Sequence, residues 1–327
     1  MTGEGFMTNA YRRGSTGAEV KTIQTRLAGL GLYSGDTDGI FGGGTESAVK
    51  NFQRKNGLDV DGIVGEDTWK KLFHGEKLLE PEIGKQTLAY RCLALTGTIE
   101  TGKPIPHCFA VVSGDFDGQG LSFGALQWNL GQGSLQPLFQ EMAEKYPSQL
   151  ESICHDYFPE LKAIFTSDKD DQLAWVRSVQ DQQRFSLFEP WKGLLTTLGR
   201  TAEFQNIQIG AAGMLFSDAK DLCAEYGLWS ERGVALMFDI KTQNGSISPL
   251  VKSQIMADFS RLGGDLSKDE TEEARLIIVA NRRAEASNPR WIEDVRKRKV
   301  AIACGEGMVH GNYLHLEDQF GIGLKPF

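Results

Sequence analysis

Glu100 and Asp117 stand close together in sequence, and Ser122 follows five residues later. Glu100 falls where an apolar-striped helix should end. Asp117 lies in the Gly-rich stretch Asp115-Phe116-Asp117-Gly118-Gln119-Gly120-Leu121-Ser122-Phe123-Gly124. Hydrolysis of a glycosidic bond needs two carboxyl groups on opposite sides of that bond. One must be a proton donor with a raised pKa, which partial burial beside an apolar stripe supplies. The other must stay ionised and direct a water. A helix end and a facing hairpin could hold the two apart across a cleft, and the glycines would let backbone approach a sugar closely. By residue type alone, two surface charges and a plain Asp-x-Asp-Gly turn fit as well, and both readings stand. A Ca²⁺ loop does not fit, because Gly124 occupies the twelfth place, where a bidentate carboxylate is required. His74, His107, His155, His310 and His315 have no zinc-site spacing, so no metal and no organic cofactor is expected. Gln119, Gln127, Trp128 and Asn129 are candidate substrate contacts in the same segment, with Trp128 the stacking candidate. Asn244, with Gln243, could bond N-acetyl groups from a later helix end. Asp239 in that helix could instead pair with a buried Arg.

The elements that would position these groups follow from periodicity. Leu88, Cys92, Leu95 and Ile99 mark a helix over Gln86–Glu100. Residues 101–136 are Gly-rich and read as loops with a small hairpin. Helical patterns then cover Leu135–Lys145, Gln172–Gln183, Leu187–Leu198, Ile207–Tyr226, Glu231–Thr242, Pro249–Leu262, Lys268–Ala286 and Pro289–Ala303. The basic runs at Arg282-Arg283 and Arg296-Lys297-Arg298-Lys299 read as solvated helix faces, with some pairing to Glu285, Glu293 or Asp294.

Ahead of this region a pattern occurs twice. Asp38-Gly39-Ile40-Phe41-Gly42 leads to Thr45, and Asp61-Gly62-Ile63-Val64-Gly65 leads to Thr68. Each Asp-Gly makes a tight turn, and each Thr is expected to cap the helix after it. With Val20, Ile23, Leu27 and Leu30 at helical spacing, and Gly31 and Gly57 at C-caps, this reads as a three-helix module. Arg13–Val20, Leu30–Gly35, Asp38–Gly42, Ala48–Gln53 and Gly57–Gly62 resemble the peptidoglycan-binding type 1 domain over residues 11–73. The resemblance implies a cell-wall anchor attached to a wall hydrolase.

Glu100 with Gly114–Ala125 resembles the front of chitosanase-like members of the lysozyme superfamily. That resemblance implies Glu100 as acid, Asp117 as base and Ser122 as the hydroxyl that positions the attacking water. Gln119 departs from the family's Arg, and Leu121 from its aromatic. Ser122–Asn129 is also similar to the hairpin after the catalytic Glu in goose-type lysozymes and lytic transglycosylases.

At 327 residues the chain can hold two domains. The expected organisation is a peptidoglycan-binding domain at 8–73, a linker at 74–85 and a catalytic domain at 86–327. The expected class is mainly α, a three-helix module plus a lysozyme-like α+β domain with a small β hairpin. No apolar run approaches the ~20 residues of a membrane span. The first residues lack a secretory signal, so cytoplasmic synthesis and action on the wall or periplasm after release or non-classical export are expected. Five widely spaced Cys read as reduced and mostly buried thiols. Residues 8–73 carry nine basic and eight acidic side chains, and residues 74–327 carry 26 and 34. This acidic balance excludes a nucleic-acid footprint and suits a neutral or cationic sugar polymer. The expectation is a monomeric, inverting, endolysin-like peptidoglycan hydrolase. Alternatives are a lytic transglycosylase using Glu100 alone, a chitosanase, or a non-enzymatic wall-binding protein. A cysteine peptidase would need Cys108 activated by a His, and its neighbour His107 is poorly placed for that.

Overall fold

The computed structural model describes residues 10–327. By contact density the chain divides into two compact units. The first comprises the chain up to Cys92 together with Ala219–Phe327, and the second comprises Leu93–Asp218.

The first unit begins with α1 (Ala18–Gly29), α2 (Gly43–Asn56) and α3 (Glu66–Leu72). Val20, Ile23, Leu27, Val49, Phe52, Trp69 and Leu72 close on one core, with Tyr11, Phe41 and Val64 from the connecting loops. The two Asp-Gly turns carry positive φ at Gly39 and Gly62, as expected. The Thr residues do not cap. Both helices start earlier, at Gly43 and Glu66, which puts Thr45 and Thr68 inside the first turn. Their hydroxyls instead accept from two buried glutamines. Gln24 Nε2 donates to Asp38 Oδ1, Ile40 O and Thr45 Oγ1, while its Oε1 accepts from Gly39 N. Gln53 repeats this set on Asp61, Ile63, Thr68 and Gly62. Each amide ties its Asp-Gly turn and the following Thr hydroxyl together from within the core.

The remainder of this unit holds α12 (Glu231–Asn244), α13 (Pro249–Phe259), α14 (Lys268–Glu285) and α15 (Ile292–Cys304). Ser230, Ser248 and Ser267 cap the first three, the last through a capping box with Glu270. A hairpin of β4 (Glu306–Val309) and β5 (Asn312–His315) and the short α16 (Leu316–Phe320) follow. Within the unit, Gln319 Nε2 donates to Arg13 O, and the Arg12 guanidinium lies 2.5 Å from the Asp318 carboxylate. One expected solvated run is not solvated. Arg298 and Lys299 are buried against Asp239, whereas Arg296 pairs with Glu293 and Arg282 with Asp258 and Glu285. Burial alone would push the Asp239 carboxyl up. The Arg298 and Lys299 charges and their hydrogen bonds outweigh it and hold that carboxyl well below the usual range.

The second unit contains a three-stranded antiparallel sheet, β1 (Val112–Ser113), β2 (Ser122–Phe123) and β3 (Trp128–Asn129). Ser122 faces Ser113 on one side and Asn129 on the other. Around it lie α5 (Gln136–Lys145), α6 (Pro147–Cys154), α7 (Phe158–Thr166), α8 (Lys169–Ser178), α9 (Trp191–Arg200) and α10 (Ala202–Ala211). Their core includes Phe123, Phe139, Phe165, Trp175, Trp191 and Phe204. The short Pro-led helices α6 and α7 were not among the expected helices. The expected helix over Ile207–Tyr226 is two, α10 and α11 (Gly213–Tyr226), parted at Ala212 between Gly210 and Gly213, whose helix propensity is low. The helix expected from Leu187 starts at Trp191, because Pro190 precedes it. Among the described residues no helix is long and apolar enough to cross a membrane.

Candidate functional site

The helix α4 (Leu88–Thr101) carries Glu100 in its last turn. Ile99 beside it is buried, but the Glu100 side chain is exposed rather than partly buried. One turn earlier, Gly97 faces Ala125. A Cβ on Gly97 would lie 2.7 Å from Ala125 Cβ. The helix end therefore meets the β2–β3 turn at a contact only glycine permits. Gln208 fixes the other side of that turn. Its Oε1 accepts from Ala125 N and its Nε2 donates to Phe109 O.

Asp117 sits in the β1–β2 loop, and its neighbour Asp115 holds the loop. Asp115 Oδ1 accepts from Gly120 N at 2.8 Å, Oδ2 accepts from Arg177 Nε at 2.7 Å, and Asp115 N donates to Gln180 Oε1 at 2.7 Å. Burial pushes the Asp115 carboxyl up, but the Gly120 N–H and Arg177 outweigh it and hold it below its ordinary value. Asp117 is exposed at the tip, where its Oδ1 accepts from Gln119 N at 3.1 Å. Gln119 is half-buried, and its carbonyl accepts from Gly131 N.

Ser122 is 7% exposed on β2, and its Oγ accepts from Asn129 Nδ2 at 2.9 Å. That bond occupies a lone pair and leaves the hydroxyl hydrogen as a donor. Asn129 is buried, with Oδ1 accepting from Gln132 N. Its amide shapes the turn and orients Ser122. Gln127 has φ 53° and spends its amide on the Gly124 carbonyl and the Ser113 hydroxyl. Trp128 is half-buried and packs against the core of the unit. Trp175 and Trp191 are core residues in edge-to-face contact.

Glu100, Asp117, Ser122, Gln119, Gln127, Trp128 and Asn129 thus belong to one unit. Asn244 ends α12 in the other unit, half-buried, and its Oδ1 and Gln243 Oε1 are buried without a hydrogen-bond partner. Sequence reasoning missed Gln180, Arg177 and Gln208, which brace the two loops and leave no local signal. All five cysteines are free, four of them buried. Burial pushes the Cys108 thiol up to about 12, so it is not an activated nucleophile.

Residues 16–72 match the family described as "Putative peptidoglycan binding domain". The resemblance expected over 11–73 is therefore borne out for this module. A spore cortex-lytic enzyme of Bacillus cereus is 38% identical over 101 residues, covering 31% of this chain and 39% of that protein. The spore cortex-lytic enzyme of Bacillus subtilis is 40% identical over 82 residues, 25% of this chain and 27% of that one. N-acetylmuramoyl-L-alanine amidase CwlM of Mycobacterium tuberculosis is 46% identical over 57 residues, 17% and 14% of the two chains. The chain thus spans about two fifths of the length of the first of these relatives. Among solved structures, a chitosanase complex aligns with TM-score 0.43 and 16% identity over 69% of this chain and 95% of that one.

Proposed function

We propose that this chain is a peptidoglycan hydrolase that cuts the glycan strand, with residues 8–73 as wall anchor, 74–85 as linker and 86–327 as the catalytic region. The observation that carries the reading is the peptidoglycan-binding match at residues 16–72. The spore cortex-lytic enzymes among the relatives support a wall-degrading role. The Gly97–Ala125 contact supports the mechanism, because it draws the end of α4 against the hairpin that begins with Ser122.

In this mechanism the Glu100 carboxyl gives its proton to the leaving glycosidic oxygen as the bond to the anomeric carbon breaks. The Asp117 carboxylate takes a proton from a water whose oxygen attacks that carbon from the opposite face, with Ser122 orienting the water. The anomeric centre inverts, and no metal or organic cofactor is called for. Trp128, Gln119 and Gln127 line the substrate's path, with Asn129 behind them; Asn244 belongs to the other unit and has no part in this site.

Mass spectrometry of digested sacculi tests this. Reducing sugar ends support it. Anhydro ends would point to a transglycosylase using Glu100 alone, cut peptides would refute glycan cleavage, and no product would leave a wall-binding protein. Faster initial rates on deacetylated chitosan than on sacculi would overturn the substrate assignment and leave the two-carboxylate mechanism standing.

A further inference from the structure

The three-helix module carries an open groove of about 420 Å³ at the C-terminal ends of α1, α2 and α3. Arg26, Lys55, Lys70, Lys71 and His74 line it, with no carboxylate among the described lining residues. Its volume is that of a small-ligand site. Phe52 and Leu72 form an apolar floor, and Leu30 and Leu32 a wall, with Leu30 43% exposed.

Basic residues at helix C-termini have an ordinary reason to be there, since each helix end carries roughly half a negative charge. Magnitudes show a surplus here. Arg26 serves the helix end directly, donating from Nε to Leu72 O and from Nη2 to His74 Nε2. A guanidinium only donates, so His74 Nε2 is the acceptor in that contact. Lys70 pairs with Glu66 at 2.6 Å. Lys55 and Lys71 are exposed and have no ion-pair partner among the described residues. Four cationic side chains against three helix ends and one carboxylate leave about one to two positive charges over. This surplus lies beside exposed apolar carbon in a chain of net charge −8.

A ligand for such a groove is a small anion attached to methyl groups. Peptidoglycan peptide stems have that chemistry, with free carboxylates next to alanine methyls. We propose that this groove binds a peptide-stem carboxylate of peptidoglycan, with Lys55 and Lys71 meeting the charge and Leu30, Leu32 and Phe52 meeting the alanine methyls. The proposal rests on the wall-binding reading of residues 16–72. The anchor then recognises the peptides, while the catalytic region acts on the glycan.

Co-sedimentation of the full chain with purified sacculi, in the cold to suppress digestion, tests it. Lys55→Glu/Lys71→Glu should weaken binding at least about tenfold. Lys21→Glu/Lys77→Glu, which makes the same charge change outside the groove, should change it less than about twofold. Thermal melts confirm that both variants are folded. Sacculi stripped of peptides by an amidase should bind the wild type as weakly as intact sacculi bind the groove variant. Sacculi freed of phosphate polymers by hydrofluoric acid should bind it fully. Wild-type binding by the groove variant, equal loss in both variants, or full binding to peptide-free glycan would overturn the proposal. Loss of binding on acid-stripped sacculi would overturn it in favour of a phosphate ligand. If the wild type does not sediment with sacculi at all, the wall-binding reading itself fails.

Discussion

Glu100 and Asp117 are held in unlike ways. Glu100 ends a helix braced by the Gly97–Ala125 contact. Asp117 stands at a loop tip on one hydrogen bond from Gln119 N. Glu100→Gln is expected to lower turnover of glycan by roughly 10²–10⁴-fold, the range of general acid catalysis. A folded variant keeping more than about a tenth of the rate would refute its role. Asp117→Asn should be similarly impaired, and NMR of the first-formed anomer should show inversion in the wild type. A retained product would contradict the water-mediated route. Both candidates were legible in the sequence as a helix-end Glu and an Asp in a Gly-rich stretch. The different duties of Asp115 and Asp117 were not. Arg177 and Gln180 separate them, and these lie more than sixty residues further along. A turn motif names its own residues but not the distant side chains that brace it.

At the scale of elements, the Asp-Gly turns, the helix C-caps and the starts of α12, α13 and α14 were readable because they are local, whereas the starts of α2 and α3 were not. Gln24 and Gln53 look like ordinary polar helix positions, yet each is the buried hub of a turn. The clamp between α12 and α15 was half legible: Asp239 reads as able to pair with a buried Arg, but the basic run that supplies Arg298 reads as surface until the two helices are placed together. Asp239→Asn keeps the volume and leaves Arg298 and Lys299 buried without their counter-charge. A loss of about 3–5 kcal/mol is expected at neutral pH. Because the folded pKa of Asp239 lies below its unfolded value, its contribution is present above about pH 4 and fades as pH falls through the folded value. The stability gap between wild type and variant should therefore narrow in denaturation series taken below about pH 4. A gap independent of pH would show that the charge is not the cause. Gly97→Ala tests the other junction. Its added Cβ would overlap Ala125 and shift the helix end. The expected result is destabilisation by about 1–3 kcal/mol and a fall in kcat exceeding any change in KM. Unchanged kcat would detach Glu100 from the hairpin.

At the scale of the molecule, the three-helix module is more than an anchor on a tether. It shares a compact unit with the last hundred residues, and Arg12, Arg13, Asp318 and Gln319 tie the two ends of the chain together. Sequence reading separated the ends because the residues involved are some three hundred positions apart. Deleting residues 1–80 therefore has two effects that must be told apart. In the proposed function the module supplies effective concentration at the wall, so its removal should slow action on whole sacculi far more than on short soluble glycans. It also removes Arg12 from Asp318, whose carboxyl burial already pushes up against the pull of Arg12 and His315. Leaving that buried acceptor without its cation costs roughly 1–3 kcal/mol. The truncated chain should melt at a lower temperature, and short-glycan rates should be compared well below that melt. Arg12→Ala in the undeleted 327-residue chain isolates the second effect. It should lower Tm while leaving co-sedimentation with sacculi intact, since Arg12 lies outside the groove of the module. If Arg12→Ala abolished wall binding without lowering Tm, Arg12 would be a wall contact and the tie between the chain ends would have no structural role.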